Sequence, residues 1–148
     1  MEIHGTDYEC EVRVSVHFHA HHALPSRPEL HGHRWEVEFA ICGPINPDSG
    51  MVCDMLDLAA FFQPFANALD GVNLHDFKEF QDQSGVIGLA ARYPTCDTLA
   101  HYFLWKAGPP FHGEPRFHGL RIGHVKVSIY EPGQEKRWGS ALIRPKIT

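Results

Sequence analysis

Residues 10 to 22 alternate: Val12, Val14, Val16, Phe18 and Ala20 are apolar or small, and Glu11, Arg13, Ser15, His17 and His19 between them are polar. That period of two predicts a strand with one buried face. After a turn spanning Pro25 to Pro28, a second strand is expected from about Leu30 to Cys42, with Trp35, Val37, Phe39 and Ile41 on its apolar phase and Glu36 and Glu38 on the other. Gly43 to Gly50 reads as a polar turn. Asp54 and Asp57 suit the first turn of a helix reaching about Leu69, with Leu58, Phe61, Phe62 and Phe65 on its apolar side and a kink at Pro64. A long loop of some twenty residues is expected next, before Pro94 and Thr95 open a second helix through Leu99 and Phe103 that Gly108 ends. The stretch Gly108 to Gly119 reads as a surface loop, and two strands, Ile122 to Tyr130 and Lys136 to Ile143, close the chain. This order predicts an α+β fold: a four-stranded antiparallel sheet with two helices on one face, within a single domain spanning residues 1–148.

Composition narrows the function classes. The chain has 148 residues and a formal net charge of −5, which disfavours a broad electrostatic grip on nucleic acid or anionic lipid. A domain of this length buries enough surface to fold without disulfides or a structural metal. Its 4 cysteines form no Cys-x-x-Cys pair and read as reduced thiols. No apolar run is long enough to span a bilayer, and Met1 to Cys10 lacks the pattern of a signal peptide, so a cytoplasmic location is expected. The unusual number is 12 histidines against 13 Lys plus Arg. Any chemistry is expected to start there.

His31 and His33 are in phase with Trp35, and His22 is in phase with Phe18 and Ala20, so all three imidazoles fall on the buried side of adjacent strands. His17, His19 and His21 fall on the opposite side. Three convergent imidazoles make a zinc site with an open fourth position, the arrangement of catalytic zinc. The same spacing also fits half-buried histidines bonded to backbone, and spacing alone leaves both explanations open. A cupin barrel also uses His-x-His followed by Glu, but its second half has no convincing match here.

With these segments in place, the chain resembles the family of 6-pyruvoyl-tetrahydropterin and 6-carboxy-tetrahydropterin synthases. Phe18-His-Ala-His-His22 matches Phe-x-Ala-x-His, and Leu30-His-Gly-His33 matches His-Gly-His. Gly50-Met-Val-Cys-Asp54, Leu69-Asp-Gly-Val-Asn-Leu74, Tyr93-Pro-Thr-Cys-Asp97 and the strand Val125 to Glu131 follow in family order. The resemblance implies the tunnelling or T-fold, in which sheets join edge to edge into an oligomeric barrel. It therefore implies a homo-oligomer, trimer or hexamer, with pockets shared between subunits. It implies Zn2+ on His22, His31 and His33, a small-molecule pterin-like ligand anchored by Glu131 with Thr95 alongside, and a lyase acting on a dihydroneopterin-type substrate.

The pattern breaks at proton transfer. The family's base is a Cys a few residues before His-Gly-His, whereas Pro25-Ser-Arg-Pro-Glu-Leu-His31 contains none. Asp70 is followed by Gly71 where the family carries an imidazole. Glu29 is the candidate replacement base, since some branches of the family use a Glu in this loop, and Asp70 is the retained catalytic partner. His75 and Cys96 are weaker candidates, and Arg27 would place a cation at the pocket mouth. The alternative is a pterin- and metal-binding or regulatory protein without the ancestral reaction, or an enzyme for a different substrate. A purely structural zinc is disfavoured, because an open three-ligand site is a poor staple.

Overall fold

The alternation of the first segment becomes β1 (Cys10–Leu24), whose even positions from Val14 to His22 are buried and whose odd positions are exposed. It pairs antiparallel with β2 (Arg27–Gly43), placing Val16 opposite Val37, Phe18 opposite Trp35 and His22 opposite His31. The computed structural model describes residues 8–146, so most of the Met1 to Cys10 segment, on which the signal-peptide reading rests, lies outside them, as do both ends of the expected 1–148 domain. β3 (Arg121–Tyr130) and β4 (Arg137–Ile143) complete a four-stranded antiparallel sheet in the order β1-β2-β3-β4.

The hairpin is longer than the sequence predicted. Pairing resumes after a register shift between His22 and Leu24, so Leu24 meets Arg27 and only Pro25 and Ser26 form the turn. Arg27 and Glu29 therefore lie in a strand and not in a loop. An irregularity of this kind re-aims side chains at the end of a strand.

The helices cover the apolar face. α1 (Met55–Asn67) is capped by the Asp54 carboxylate, which accepts a hydrogen bond from the Leu56 amide at 2.8 Å, and it buries Leu58, Phe62 and Ala66. The expected twenty-residue loop is instead folded into a 3-10 turn at Leu74–Asp76, α2 (Lys78–Gln81) and α3 (Gly85–Arg92). Leu74, Phe80 and Ala90 are fully buried there, so the segment contributes to the core. The next helix, α4, runs from Cys96 to His112 and continues past Gly108 through Pro109 and Pro110. Packing accounts for this extension: Phe111 is fully buried, stacked on Phe62 at 5.8 Å and on Phe117 at 5.0 Å, so Gly108 to Gly119 is not the surface loop expected. Tertiary burial here outweighs the weak helix propensity of Gly and Pro.

The polar face of the sheet departs from expectation in one place. Glu36 is 5% exposed, although its phase is the solvent phase. One carboxylate oxygen accepts from the Arg137 guanidinium at 2.6 Å, and the other accepts from the Tyr130 hydroxyl at 2.6 Å. Ser15 and His17 approach from β1 at 3.4 and 3.3 Å, so this one carboxylate ties all four strands together. Burial pushes the Glu36 carboxyl up, but the hydrogen bonds from Tyr130 and Arg137 outweigh it and hold the group below the usual carboxylate range. Glu38 accepts from the buried His124 at 2.7 Å on the same face.

Candidate metal centre

His22, at the end of β1, and His31 and His33, at the start of β2, converge as their phase predicted. Their ring centroids lie 4.6, 4.9 and 4.9 Å apart, and one ligand atom from each lies within 4.8 Å of the other two. Each Nδ1 meets a backbone carbonyl: His22 meets Pro94 at 2.7 Å, His31 meets Glu29 at 2.8 Å, and His33 meets Tyr130 at 3.0 Å. A carbonyl oxygen only accepts, so each Nδ1 carries the proton and each Nε2 presents a lone pair. Burial pushes the His22 imidazole down to about 4 and also lowers that of His33. The three rings are therefore a pre-oriented donor set that fits a divalent metal ion. Among the described residues none of the three Nε2 atoms is hydrogen-bonded, so each is available to a ligand.

The wall behind the triad is apolar and rigid. Trp35 packs edge-on to His22 at 5.1 Å and to His33 at 5.9 Å, and its indole N–H donates to the Ala20 carbonyl at 3.2 Å. Thr95 caps α4: its hydroxyl accepts from the Thr98 amide, and the Thr98 hydroxyl accepts from the Thr95 amide, both at 3.1 Å. With His22, Cys96, Asp97 and Trp138, Thr95 lines a hollow of about 250 Å³ beside the triad. Glu131 lies beyond the end of β3, with its carboxylate 3.5 Å from Arg27 at the start of β2.

The remaining candidates divide. The Glu29 carbonyl orients His31, and among the described residues its carboxylate has no hydrogen-bond or ion-pair partner. Asp70 does not join the triad of its own chain; its carboxylate accepts from the His19 amide at 2.8 Å on the outer edge of β1. His75 is spent on structure, with Nδ1 on the Ala91 carbonyl at 2.9 Å and Nε2 accepting from the Ala23 amide at 2.9 Å. Burial pushes the Cys96 thiol up to about 12, which keeps it protonated and removes it as a base. Trp138 was not anticipated as a lining residue; an exposed tryptophan on a terminal strand was the available signal.

A profile of the 6-pyruvoyl tetrahydropterin synthase family matches residues 11–138. The chain belongs to this family. Its fold is similar to that of the Caenorhabditis elegans 6-pyruvoyl tetrahydropterin synthase, at 17% identity and a TM-score of 0.67 over 94% of this chain and 97% of that one. An uncharacterized protein from Wolinella succinogenes is similar at 16% identity and a TM-score of 0.61 over 94% and 99%. A Plasmodium vivax 6-pyruvoyltetrahydropterin synthase, described as a catalytic-residue mutant with glutamate replaced by cysteine, is similar at 18% identity and a TM-score of 0.51 over 94% and 100%. The expected T-fold is therefore the fold of this member of the 6-pyruvoyl tetrahydropterin synthase family. Among the described residues no helix is long and apolar enough to cross a membrane.

Proposed function

We propose that this family member is a cytoplasmic lyase that holds Zn2+ on His22, His31 and His33 and acts on a dihydroneopterin-type substrate with Glu29 as its base. The observation that carries the reading is the hydrogen bonding of all three Nδ1 atoms to backbone carbonyls, which leaves the three Nε2 atoms of these clustered rings available to one metal ion. When bound, the metal supplies Lewis acidity that polarises hydroxyl and carbonyl oxygens and so acidifies adjacent C–H bonds. Glu29 lies on β2 two residues before His31, its carbonyl bonded to the His31 ring, and among the described residues its carboxylate has no partner that would keep it from taking such a proton. That a Plasmodium vivax relative has a catalytic glutamate supports a carboxylate in this role.

Glu131 would accept from the N–H edge of the pterin, exchanging its contact with Arg27 for the ligand, with Thr95 at the α4 cap alongside. Asp70 would serve a pocket shared with a neighbouring subunit of a homo-oligomer, trimer or hexamer. In support, among the described residues the outer edge of β1 is covered only near residues 17 to 23, where Gln63, Asp70, Gly71, Val72 and His75 bond to it. The N-terminal half of that edge has no partner among the described residues and is available for another chain. A second reading, a pterin- and metal-binding protein without turnover, is favoured by Gly71 and by the absence of a cysteine between Pro25 and His31.

The test is product analysis after zinc-loaded protein meets 7,8-dihydroneopterin triphosphate. The parent should give product, and Glu29→Ala should lower the rate by about 10²–10⁴-fold with its zinc content unchanged. Unimpaired turnover in Glu29→Ala would remove Glu29 as the base. A zinc-loaded parent that binds the pterin without converting it would leave the binding reading.

A further inference from the structure

Alternate amides on the outer edge of β1 are met by three different kinds of acceptor. The His19 amide donates to the Asp70 carboxylate at 2.8 Å, the His21 amide to the Val72 carbonyl at 2.9 Å, and the Ala23 amide to Nε2 of His75 at 2.9 Å. The segment from Asp70 to His75 thus runs beside β1 as an improvised strand whose last rung is an imidazole. That rung stands where the regular ladder fails. β1 and β2 shift register between His22 and Leu24, and among the described residues Ala23 has no partner residue in β2.

His75 is itself held in place. Its amide donates to the Asn73 side-chain carbonyl at 3.1 Å, and its carbonyl accepts from the Gln81 amide group at 3.0 Å. Its Nδ1 faces the Ala91 carbonyl at 2.9 Å. A carbonyl only accepts, so Nδ1 carries the ring proton and Nε2 holds the lone pair that the Ala23 N–H needs. Ala91 lies in the last turn of α3, three residues before Pro94, whose carbonyl accepts from Nδ1 of His22 at 2.7 Å. A closed circuit results. It runs from the His22 ring to Pro94, along the chain to Ala91, through the His75 ring to Ala23, and across one peptide bond back to His22.

We infer that His75 is a positioning residue for the metal centre. It sets the distance between the backbone of His22 and the carbonyl that orients the His22 ring, and so selects which nitrogen of that ring is left for the metal. The consequence for zinc rests on the proposed function; the link from His75 to His22 does not. A residue that merely added stability would lower the urea midpoint and leave the His22 ring unaltered in the molecules that stay folded.

The experiment compares the full chain with His75→Leu, which fills the space without donor or acceptor, and with the milder His75→Asn, which can keep the bond to Ala91 and is too short to reach Ala23. Long-range proton–nitrogen NMR of the zinc-free proteins reads the His22 tautomer, and competition with a chelator reads the zinc affinity. His22 is expected to carry its proton on Nδ1 in the parent and to populate both tautomers in the two variants, which should bind zinc about 10–100-fold more weakly. Phe62→Leu is the destabilised control, with a lower urea midpoint and the parent's tautomer and affinity. If His75→Leu does not fold, His75→Asn decides. A His22 tautomer in the variants identical to that of the parent overturns the inference whatever the zinc affinity, and a changed tautomer with unaltered zinc affinity overturns it as well. A parent that shows the Nδ1 tautomer yet takes up no zinc would end the metal reading, and the tautomer comparison alone would then decide the link from His75 to His22.

Discussion

The two faces of the sheet use histidine and glutamate in opposite ways. On the helix-covered face, the strand phase that buries Phe18, Trp35 and Val37 runs on into His22, His31 and His33, whose Nδ1 atoms bond to backbone carbonyls and whose other ring nitrogens are left for a ligand. On the other face, Glu36 and Glu38 are satisfied inside the sheet by Tyr130, Arg137 and His124. The first arrangement leaves binding capacity unspent and the second consumes it. A cluster of polar residues thus becomes a candidate centre through what it leaves unpaired.

The comparison can be broken from either side. The largest effect on stability is expected from Phe62→Ala, which empties a fully buried position stacked at 3.8 Å on Phe39. A loss of about 3–5 kcal/mol should appear as a lower urea midpoint. On the polar face, Glu36→Leu strands the Tyr130 hydroxyl and removes the Arg137 ion pair, for a loss of about 1–3 kcal/mol, moderated because Arg137 is partly exposed. The pH dependence sharpens this contrast. The folded Glu36 carboxyl titrates below its ordinary value of 4.5, so its contribution is complete above about that pH and disappears as pH falls through the lower folded value. Glu36→Gln should therefore flatten the acid limb of the stability curve; an acid limb identical to that of the parent would remove Glu36 from the network. The smallest effect is expected from His17→Ala, which loses only a 3.3 Å contact from a half-exposed ring and should shift stability by about 0.5 kcal/mol or less.

The sheet and the convergence of His22, His31 and His33 were legible because both rest on a period of two. One register places His22 opposite His31 and Ala20 opposite His33, and the alternation of apolar residues fixes that register. What escaped has physical reasons. Short helices such as Lys78–Gln81 carry too few residues for a period of 3.6 to emerge. α4 passes Gly108 and two prolines because Phe111 and Phe117 are drawn into the core, a long-range effect invisible in local composition. Glu36 reads as a solvent residue until Tyr130 and Arg137 are brought to it across strands more than ninety residues away in sequence. Glu29 was assigned to a loop because Pro25 and Pro28 suggested a wider turn than the two-residue connection that forms.

The most direct test of the account is the metal content of purified parent and His33→Ala proteins by atomic emission, alongside their circular dichroism. The account predicts stoichiometric zinc in the parent and its loss from His33→Ala with the folded spectrum retained, since Trp35, the core residue packed against His33, keeps its stacking on Phe18. A parent that takes up no zinc when offered it, or a His33→Ala variant that binds it as tightly as the parent, would contradict the metal centre on which the proposed chemistry rests.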